Sequence, residues 1–374
     1  TPSVPATAPA AAPADPQPPA TRVVALIPAH NESASIAATI EAVLAQDRLP
    51  DEVVVIPNGC IDDTADIARR YPVTVLELPA LAHRKAEALN TAWRRHATDA
   101  DIVVCLDADT VLPPHAVADW ATEMATEPWL GGSSSKFTML APGLLPRLQK
   151  AEFATWTQTA LDRGQTHVLA GTGCAIRGEV LRVLAARDDR EGPWCYTSAT
   201  EDFELTYRVR ELGYRCHVSP TVRAYTDAMP TVRALWGQRM KWQVGTVQDL
   251  LAFGLNKLTW RDWAQQALGL LNAAARALWV AVLTTAALLD VFHVMWVWWC
   301  LPAVFVLLDA KRALRIPHRT RADWAVALTF FPTECFQWMR GAWFVASWWH
   351  VVRTRLTRSS STDLWAKQYA AEAA

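Results

Sequence analysis

The stretch IVVCLDADT, residues 102–110, decides the fold. It opens as an apolar strand with no polar face to offer water, and it ends on two carboxylates one residue apart, Asp107 and Asp109. A strand that reads as an unbroken apolar run is buried on both faces, which requires parallel neighbours joined by crossover helices. The same pattern recurs upstream. VVALIPA at 23–29, VVVIP at 53–57 and TVLEL at 74–78 are separated by helical stretches near 33–46 and 62–70, with another near 83–95. The expected fold class is α/β, a doubly wound sheet. Such sheets bind ligands beyond the carboxyl ends of their strands, where His30-Asn31-Glu32, Asn58-Gly59 and Asp107-Ala108-Asp109 fall.

Two carboxylates where a strand frays can grip a divalent cation that bridges a nucleotide diphosphate, because hard cations take oxygen ligands and keep positions open for phosphate. The same pair also reads as helix-capping acids at a strand-to-helix turn, with Pro113 opening the next helix. A calcium loop of the helix-loop-helix type would need further ligands and a glycine that are missing.

Composition narrows the classes. The 374 residues are 51% hydrophobic and 20% charged, too apolar for a disordered chain. Seven cysteines without a CxxC spacing exclude a disulfide framework and a zinc knuckle, leaving reduced thiols as the simplest reading. A net charge of −1 argues against nucleic acid as a partner, since phosphate binding needs a basic face. That average conceals a split. Residues 1–263 carry 25 basic and 31 acidic side chains, whereas residues 264–358 carry 10 basic and 4 acidic. Fourteen of the 19 tryptophans fall at or after Trp236. An acidic-leaning front and a basic, Trp-rich, apolar back read as a soluble catalytic domain joined to a membrane-seated segment.

Four regions are expected. Residues 1–21 are a Pro/Ala-rich disordered lead, without the basic start and apolar run of a signal peptide. Residues 22–263 form the α/β domain. Residues 264–358 form the membrane segment, in which 267–289 and 291–308 are each long enough to cross and form a tight hairpin at Asp290. The loop at 309–323 carries Lys311, Arg312, Arg315, Arg319 and Arg321, which places it and the α/β domain on the cytoplasmic side of a multi-pass chain. The stretch 324–349 includes Pro332, Glu334 and Arg340 and reads as an interfacial or re-entrant helix, with a third crossing as the alternative. Residues 359–374 are a cytosolic tail, and association into a homo-oligomer stays open.

Seven motifs follow one another along the chain: PAHNE (28–32), NGCIDDT (58–64), HRKAEALN (83–90), LDADT (106–110), GTGCAIR (171–177), TED (200–202) and QRMKW (238–242). In this order and at these separations the chain resembles the family-2 inverting glycosyltransferases, in particular the membrane branch of cellulose, hyaluronan and poly-N-acetylglucosamine synthases. The resemblance spans about residues 22–370, including a terminal LWAKQ. It implies a GT-A fold, a cytosolic nucleotide-sugar site and a Mg²⁺ or Mn²⁺ ion. Pro28, Ala29, Asn31 and Glu32 would line the uridine pocket, with Asn58 beside the base and Lys85 near the nucleotide. Asp107 would lie under the ribose or sugar and share the metal with Asp109.

Inverting transfer needs a base, because the attacking hydroxyl must lose its proton as the bond to the anomeric carbon forms. Asp202 of TED is the candidate, beside Glu201. Read structurally, Thr200 caps a helix over 201–212 whose first turn favours Glu201 and Asp202. In QRMKW, Gln238 and Trp242 share a helix face with Arg239 and Lys241 on either side. The resemblance places them beneath the acceptor sugar and the diphosphate, Trp242 offering a flat face to pyranose C–H groups. A membrane-interface anchor is the other reading of this Trp-Lys pair, and Trp260 and Trp263 suit that role better. In GTGCAIR, Gly171, Thr172 and Gly173 would let backbone approach a sugar closely; a simple turn is the alternative.

The chain departs from the family pattern at Pro57 or Asn58, where an Asp is common, and at Lys241, where an arginine is usual. It also shows no amino-terminal crossing. His30, His83, His167 and His217 have no metal spacing and read as structural or solvent-facing. The expected activity is a metal-dependent transfer of a hexose or N-acetylhexosamine from a UDP-sugar to a hydroxyl of a membrane-proximal glycan, lipid-linked saccharide or protein. A polyprenyl-phosphate glycosyltransferase is the alternative.

Overall fold

A computed structural model describes residues 21–291, 300–357 and 364–372. The front of the chain alternates as expected: β1 (Val23–Ala29), α1 (Ile36–Leu44), β2 (Glu52–Pro57), α2 (Thr64–Ala68), β3 (Thr74–Val75), α3 (Arg84–Ala92), β4 (Ile102–Cys105). Then follow α4 (Ala116–Thr126), β5 (Leu130–Thr138), α5 (Leu144–Arg163), β6 (Cys174–Arg177), α6 (Gly178–Ala185), α7 (Glu201–Glu211) and β7 (Arg215–Tyr225). The seven strands form one sheet in the order β3-β2-β1-β4-β6-β5-β7.

The apolar runs are buried on both faces for the reason their sequence gives. Val23, Ala25 and Ile27 of β1 pack with Ile36, Ile40 and Trp120 on one side. Val24 and Leu26 pack with Leu89, Trp93 and Leu181 on the other. β1 is parallel to β2 and β4, and β2 to β3, as the continuous runs predict. Beyond β4 the sheet is mixed, with β5 antiparallel to β6 but parallel to β7. β6 runs antiparallel to β4, with Cys105 opposite Cys174 and Ile102 opposite Arg177. Because β6 starts where β4 ends, the GTG turn preceding it is delivered to the carboxyl end of β4. Asp107 N–H donates to the Gly171 carbonyl at 2.8 Å, sealing that junction.

Some elements are shorter than the pattern suggests. Of TVLEL only Thr74 and Val75 are strand, although the N–H groups of Leu76 and Leu78 still donate to Val55 and Pro57. The helix expected at Pro113 starts at Ala116.

The back of the chain is helical: α8 (Val232–Phe253), α9 (Trp260–Leu288), α10 (Cys300–Ala313), α11 (Arg321–Ala327), α12 (Phe330–Thr357) and α13 (Leu364–Glu372). Among the described residues α9 is the one helix long and apolar enough to cross a membrane, with a mean hydropathy of 1.6 over a window that buries nothing. Of the second crossing expected at 291–308, residues 292–299 lie outside the described residues, and 300–308 begin α10. The stretch 324–349 divides between α11 and α12. α12 buries Phe336, Trp343, Ser347 and Val351, packing with Leu235 and Val244 of α8. The tail expected at 359–374 includes α13, which lies on α8 where Gly237 leaves room for Ala371 and Gln368. Trp263 is held by the protein, its indole N–H donating to the Gly254 carbonyl at 3.2 Å, while Trp260 is 52% exposed.

Gly178 ties β6 to the edge that feeds β4. A Cβ there would lie 1.8 Å from the Ala100 carbonyl oxygen, and its own N–H donates to Asp101 at 2.7 Å. Backbone cannot yield as a side-chain tip can, so Gly178→Ala should lower the unfolding free energy by about 3 kcal/mol, the upper end of overpacking costs. A denaturant midpoint equal to that of the wild type would contradict this packing.

Candidate active site

The carboxyl ends of β1, β2 and β4 open into a cavity of about 1240 Å³ whose far walls are α5, α8, α9, α12 and α13. Its charged floor is built from three elements. Lys85, one residue inside α3, places its ammonium 2.5 Å from Asp107 Oδ1 and 3.4 Å from Glu201 Oε1. Asp107 follows β4, and Glu201 opens α7. Burial alone would lower the Lys85 pKa, but Asp107 and Glu201 reverse this and raise it well above the ordinary value. The ammonium is therefore permanent.

Gly171 makes this meeting fit. A Cβ at that position would lie 2.6 Å from Lys85 Nζ and 2.9 Å from Asp107 Oδ2. Gly173 has another use: at φ +129° it faces Leu112 and Ser135 rather than the cavity.

Asp109 sits two residues beyond Asp107, accepting from Thr226 Oγ1 at 3.0 Å and Thr110 Oγ1 at 3.2 Å. Burial, and then the charge of Asp107, push its pKa up to about 6. Asp202, in the first turn of α7, is raised to about 6 by burial and by Glu201, with Lys85 and Lys241 opposing. Lys241 is buried on α8 and is lowered by that burial to about 8. Its ammonium lies 3.2 Å from the centre of the Trp365 ring.

Around QRMKW the cavity is aromatic. The Arg239 guanidinium lies over the Trp242 ring at 4.5 Å and over Phe153 at 4.9 Å. Arg239 and Glu152, each 3% exposed at the side chain, pair at 2.8 Å, and Arg340 of α12 reaches the other Glu152 oxygen at 2.9 Å. Gln238 and Thr172 line the same space, and Gln238 Oε1 and Thr172 Oγ1 are buried without a hydrogen-bond partner.

The candidate residues mostly converge. Pro28, Ala29, Glu32 and Asn58 line the cavity beyond β1 and β2, with Lys85, Asp107 and Asp109 beside them. Asn31 does not. It takes a left-handed conformation at φ +58° and turns its Oδ1 to accept from Ile61 N–H at 2.8 Å, holding the two loops together. Asn58 is buried, its Oδ1 accepting from Leu81 N–H at 3.2 Å. Thr200 occupies the N-cap of α7, but its side chain makes no cap hydrogen bond. Its hydroxyl points to α8. His30 places Nδ1 2.7 Å from the Asn58 carbonyl and packs its ring 4.8 Å from Tyr369.

Sequence reading missed Thr226 and Asp227, which follow β7 and reach Asp109, and Glu152, which meets QRMKW from α5. It also missed Trp365 and Tyr369, which cover the cavity from α13. The dipeptide Thr226-Asp227 just before Pro230 was the available signal, though only the sheet order brings it to β4.

The description Glycosyltransferase like family 2 matches residues 18–245, more than half of the chain. The chain belongs to that family. Among curated relatives of this glycosyltransferase, the probable glycosyltransferase YdaM of Bacillus subtilis is 27% identical over 249 residues, 62% of this chain and 57% of that protein. Poly-beta-1,6-N-acetyl-D-glucosamine synthase of Staphylococcus aureus is 27% identical over 230 residues, 60% of this chain and 55% of the relative. The match thus spans little more than half the length of these relatives. Among solved structures, the mannosyltransferase PcManGT of Pyrobaculum calidifontis, in complex with GDP-Man and Mn²⁺, superposes with a TM-score of 0.61 at 23% identity. That match covers 88% of this chain and 87% of the other. The fold is GT-A, as the motifs implied.

The ion triad of Glu152, Arg239 and Arg340 yields a stability prediction. Glu152→Gln leaves a buried guanidinium uncompensated and should cost about 3–5 kcal/mol. Chemical unfolding of the variant in detergent measures this, and a loss under about 1 kcal/mol would show that solvent already screens the triad.

Proposed function

We propose that this glycosyltransferase moves a hexose or N-acetylhexosamine from a UDP-sugar to a hydroxyl of a membrane-proximal acceptor, with inversion and with a divalent metal. The observation that carries the reading is the convergence of Asp202 with Asp107, Asp109 and Lys85 on one cavity at the carboxyl ends of parallel strands. The name of the staphylococcal relative supports an N-acetylhexosamine.

The donor set fits Mg²⁺ or Mn²⁺. Asp109 is crowded by Asp107 and by burial, so its carboxylate needs a cation, and two acidic ligands leave positions for diphosphate oxygens. Held by Asp107 and Asp109, the ion would supply positive charge to the departing UDP.

The chain's own residues divide the remaining work. Pro28, Ala29, Glu32 and Asn58 hold the uridine, and Asn31 braces their loop. Lys85 offers a fixed charge to the nucleotide. Asp202, with Glu201 beside it, accepts the proton of the acceptor hydroxyl through a carboxylate oxygen. Trp242 presents one ring face to the acceptor sugar while Arg239 covers the other, and Lys241 faces the diphosphate. Gly171 and Thr172 bring backbone close, and the unpartnered oxygens of Thr172 and Gln238 suit sugar hydroxyls.

In this reading residues 22–263 are the catalytic domain, on the cytoplasmic side, and 264–358 the membrane segment. The cavity supports an acceptor near the bilayer. It continues between α9 and α12, lined by Gln265, Asn272 and Arg276 of the first and by Gln337 and Arg340 of the second. On a helix otherwise as apolar as α9, that polar stripe suits an acceptor held close to the bilayer.

Two measurements on the full chain in detergent test the reading, with Mn²⁺ and either UDP-glucose or UDP-N-acetylglucosamine. Asp202→Asn should reduce turnover by about 10²–10⁴-fold, the range for removing a general base. Retained transfer would point to an ionised acceptor such as a polyprenyl phosphate. The wild-type rate should rise as pH climbs through about 6, where Asp202 ionises, and fall through about 8, where Lys241 loses its proton. Lys241→Arg, whose guanidinium stays charged, should remove the alkaline fall.

A further inference from the structure

One buried carboxylate has no part in the chemistry above. Asp249 lies on α8, 8% exposed, seven residues after Trp242. Two hydroxyls donate to the same oxygen, Asp249 Oδ2: Ser198 Oγ at 2.8 Å and Thr200 Oγ1 at 2.9 Å. Ser198 Oγ in turn accepts from Thr200 N–H at 3.0 Å. These bonds close the loop that delivers Glu201 and Asp202. Gly245, one turn earlier on α8, permits the approach, because a Cβ there would lie 2.8 Å from Thr200 Oγ1 and Cγ2.

The arrangement explains why Thr200 leaves its own helix uncapped. Its hydroxyl proton is given to α8, so the first turn of α7 is located by its neighbour rather than by itself. α8 also carries Gln238, Lys241 and Trp242. Burial drives the Asp249 pKa up to about 7, with the charges of Glu204 and Asp202 adding to the rise while the two hydroxyls oppose it. A group kept at that cost serves a geometric end that an apolar side chain cannot serve.

We propose that Asp249 is a positioning residue: by holding Ser198 and Thr200 it sets the carboxylate of Asp202 relative to the acceptor-facing side chains of α8. The proposal rests on the reading of Asp202 as the base. Since Oδ2 accepts both bonds, an asparagine oxygen in the same place can accept them too. The hydrogen bonds carry the function, and the charge does not.

The test uses the full chain in detergent with Mn²⁺ and UDP-glucose or UDP-N-acetylglucosamine, reading UDP release and amide hydrogen exchange over residues 198–204. Asp249→Leu should lower kcat by about 10²-fold, the cost of misplacing a reacting group by about 1 Å, with the donor KM unchanged. Exchange in the loop should quicken. Asp249→Asn should restore both readouts, and Thr200→Val, which removes one of the two donors, should fall between. Wild-type kcat and exchange in Asp249→Leu would overturn the proposal. So would an Asp249→Asn variant as impaired as Asp249→Leu, since charge would then be the operative property. If Asp249→Leu does not fold, Thr200→Val decides, and wild-type behaviour there refutes the idea. Asp202→Asn is run in parallel: full turnover in that variant defeats the base reading alone, while the exchange arm, which needs no substrate, still reports whether Asp249 holds the loop.

Discussion

The site depends on one ammonium shared by two carboxylates. Asp107, Asp109, Glu201 and Asp202 are drawn to a common cavity, and without a cation their mutual repulsion would force the strand end and the helix start apart. Lys85 prevents this from a third element, touching Asp107 and Glu201 at once. Such a buried cluster adds little net stability against a well-packed apolar alternative, because desolvation offsets most of the attraction. It specifies where α3, the end of β4 and the start of α7 stand relative to one another. Gly171 follows from the same constraint, since any side chain there would occupy the space of the ion pair.

Groups that the cluster does not satisfy are the ones that face a ligand. Asp109 and Asp202 are both raised to about 6, and Lys241 is lowered to about 8, each driven first by burial toward its neutral form. Acid and base shifts converging toward neutrality mark a dry site whose remaining charges lack full partners. The deficits have opposite signs in different places. Asp109 calls for a cation, Lys241 for an anion and Asp202 for a proton, the three requirements that the proposed metal-bound sugar diphosphate and hydroxyl acceptor would meet.

The part of this that sequence made legible was local. Unbroken apolar runs in β1, β2 and β4 could only be strands buried on two faces, and the strand ends then located Asp107 and Asp109. The register of motifs identified Lys85, Asp202 and Trp242, and the cavity contains them. What remained hidden depends on contacts far apart in the chain. Nothing near Thr226 announces Asp109, 117 residues earlier, and nothing in CAIR reveals that β6 runs antiparallel. Thr200 had every local mark of a helix cap, yet a carboxylate 49 residues downstream takes its hydroxyl. Asn31 lies within a recognisable motif, but its left-handed backbone turns the amide to the neighbouring loop. Local propensity is overruled wherever a buried partner offers a better hydrogen bond than water or the residue's own helix.

The position of α12 is set by the same need of a buried charge for a partner. α9 is apolar over most of its surface, with Leu271, Leu278 and Leu288 more than 60% exposed, yet it carries Arg276 at its centre. An arginine on such a helix requires a partner, and Glu334 of α12 supplies it. α12 can do so because its other side is already committed to α8 through Trp343 and Val351. It also bears Arg340, which reaches Glu152 within the catalytic cavity. One helix therefore contacts the apolar span through Glu334, the cavity wall through Arg340 and α8 through its tryptophans. That is why a stretch as rich in aromatic residues as 324–349 includes the charges that an isolated crossing segment would exclude.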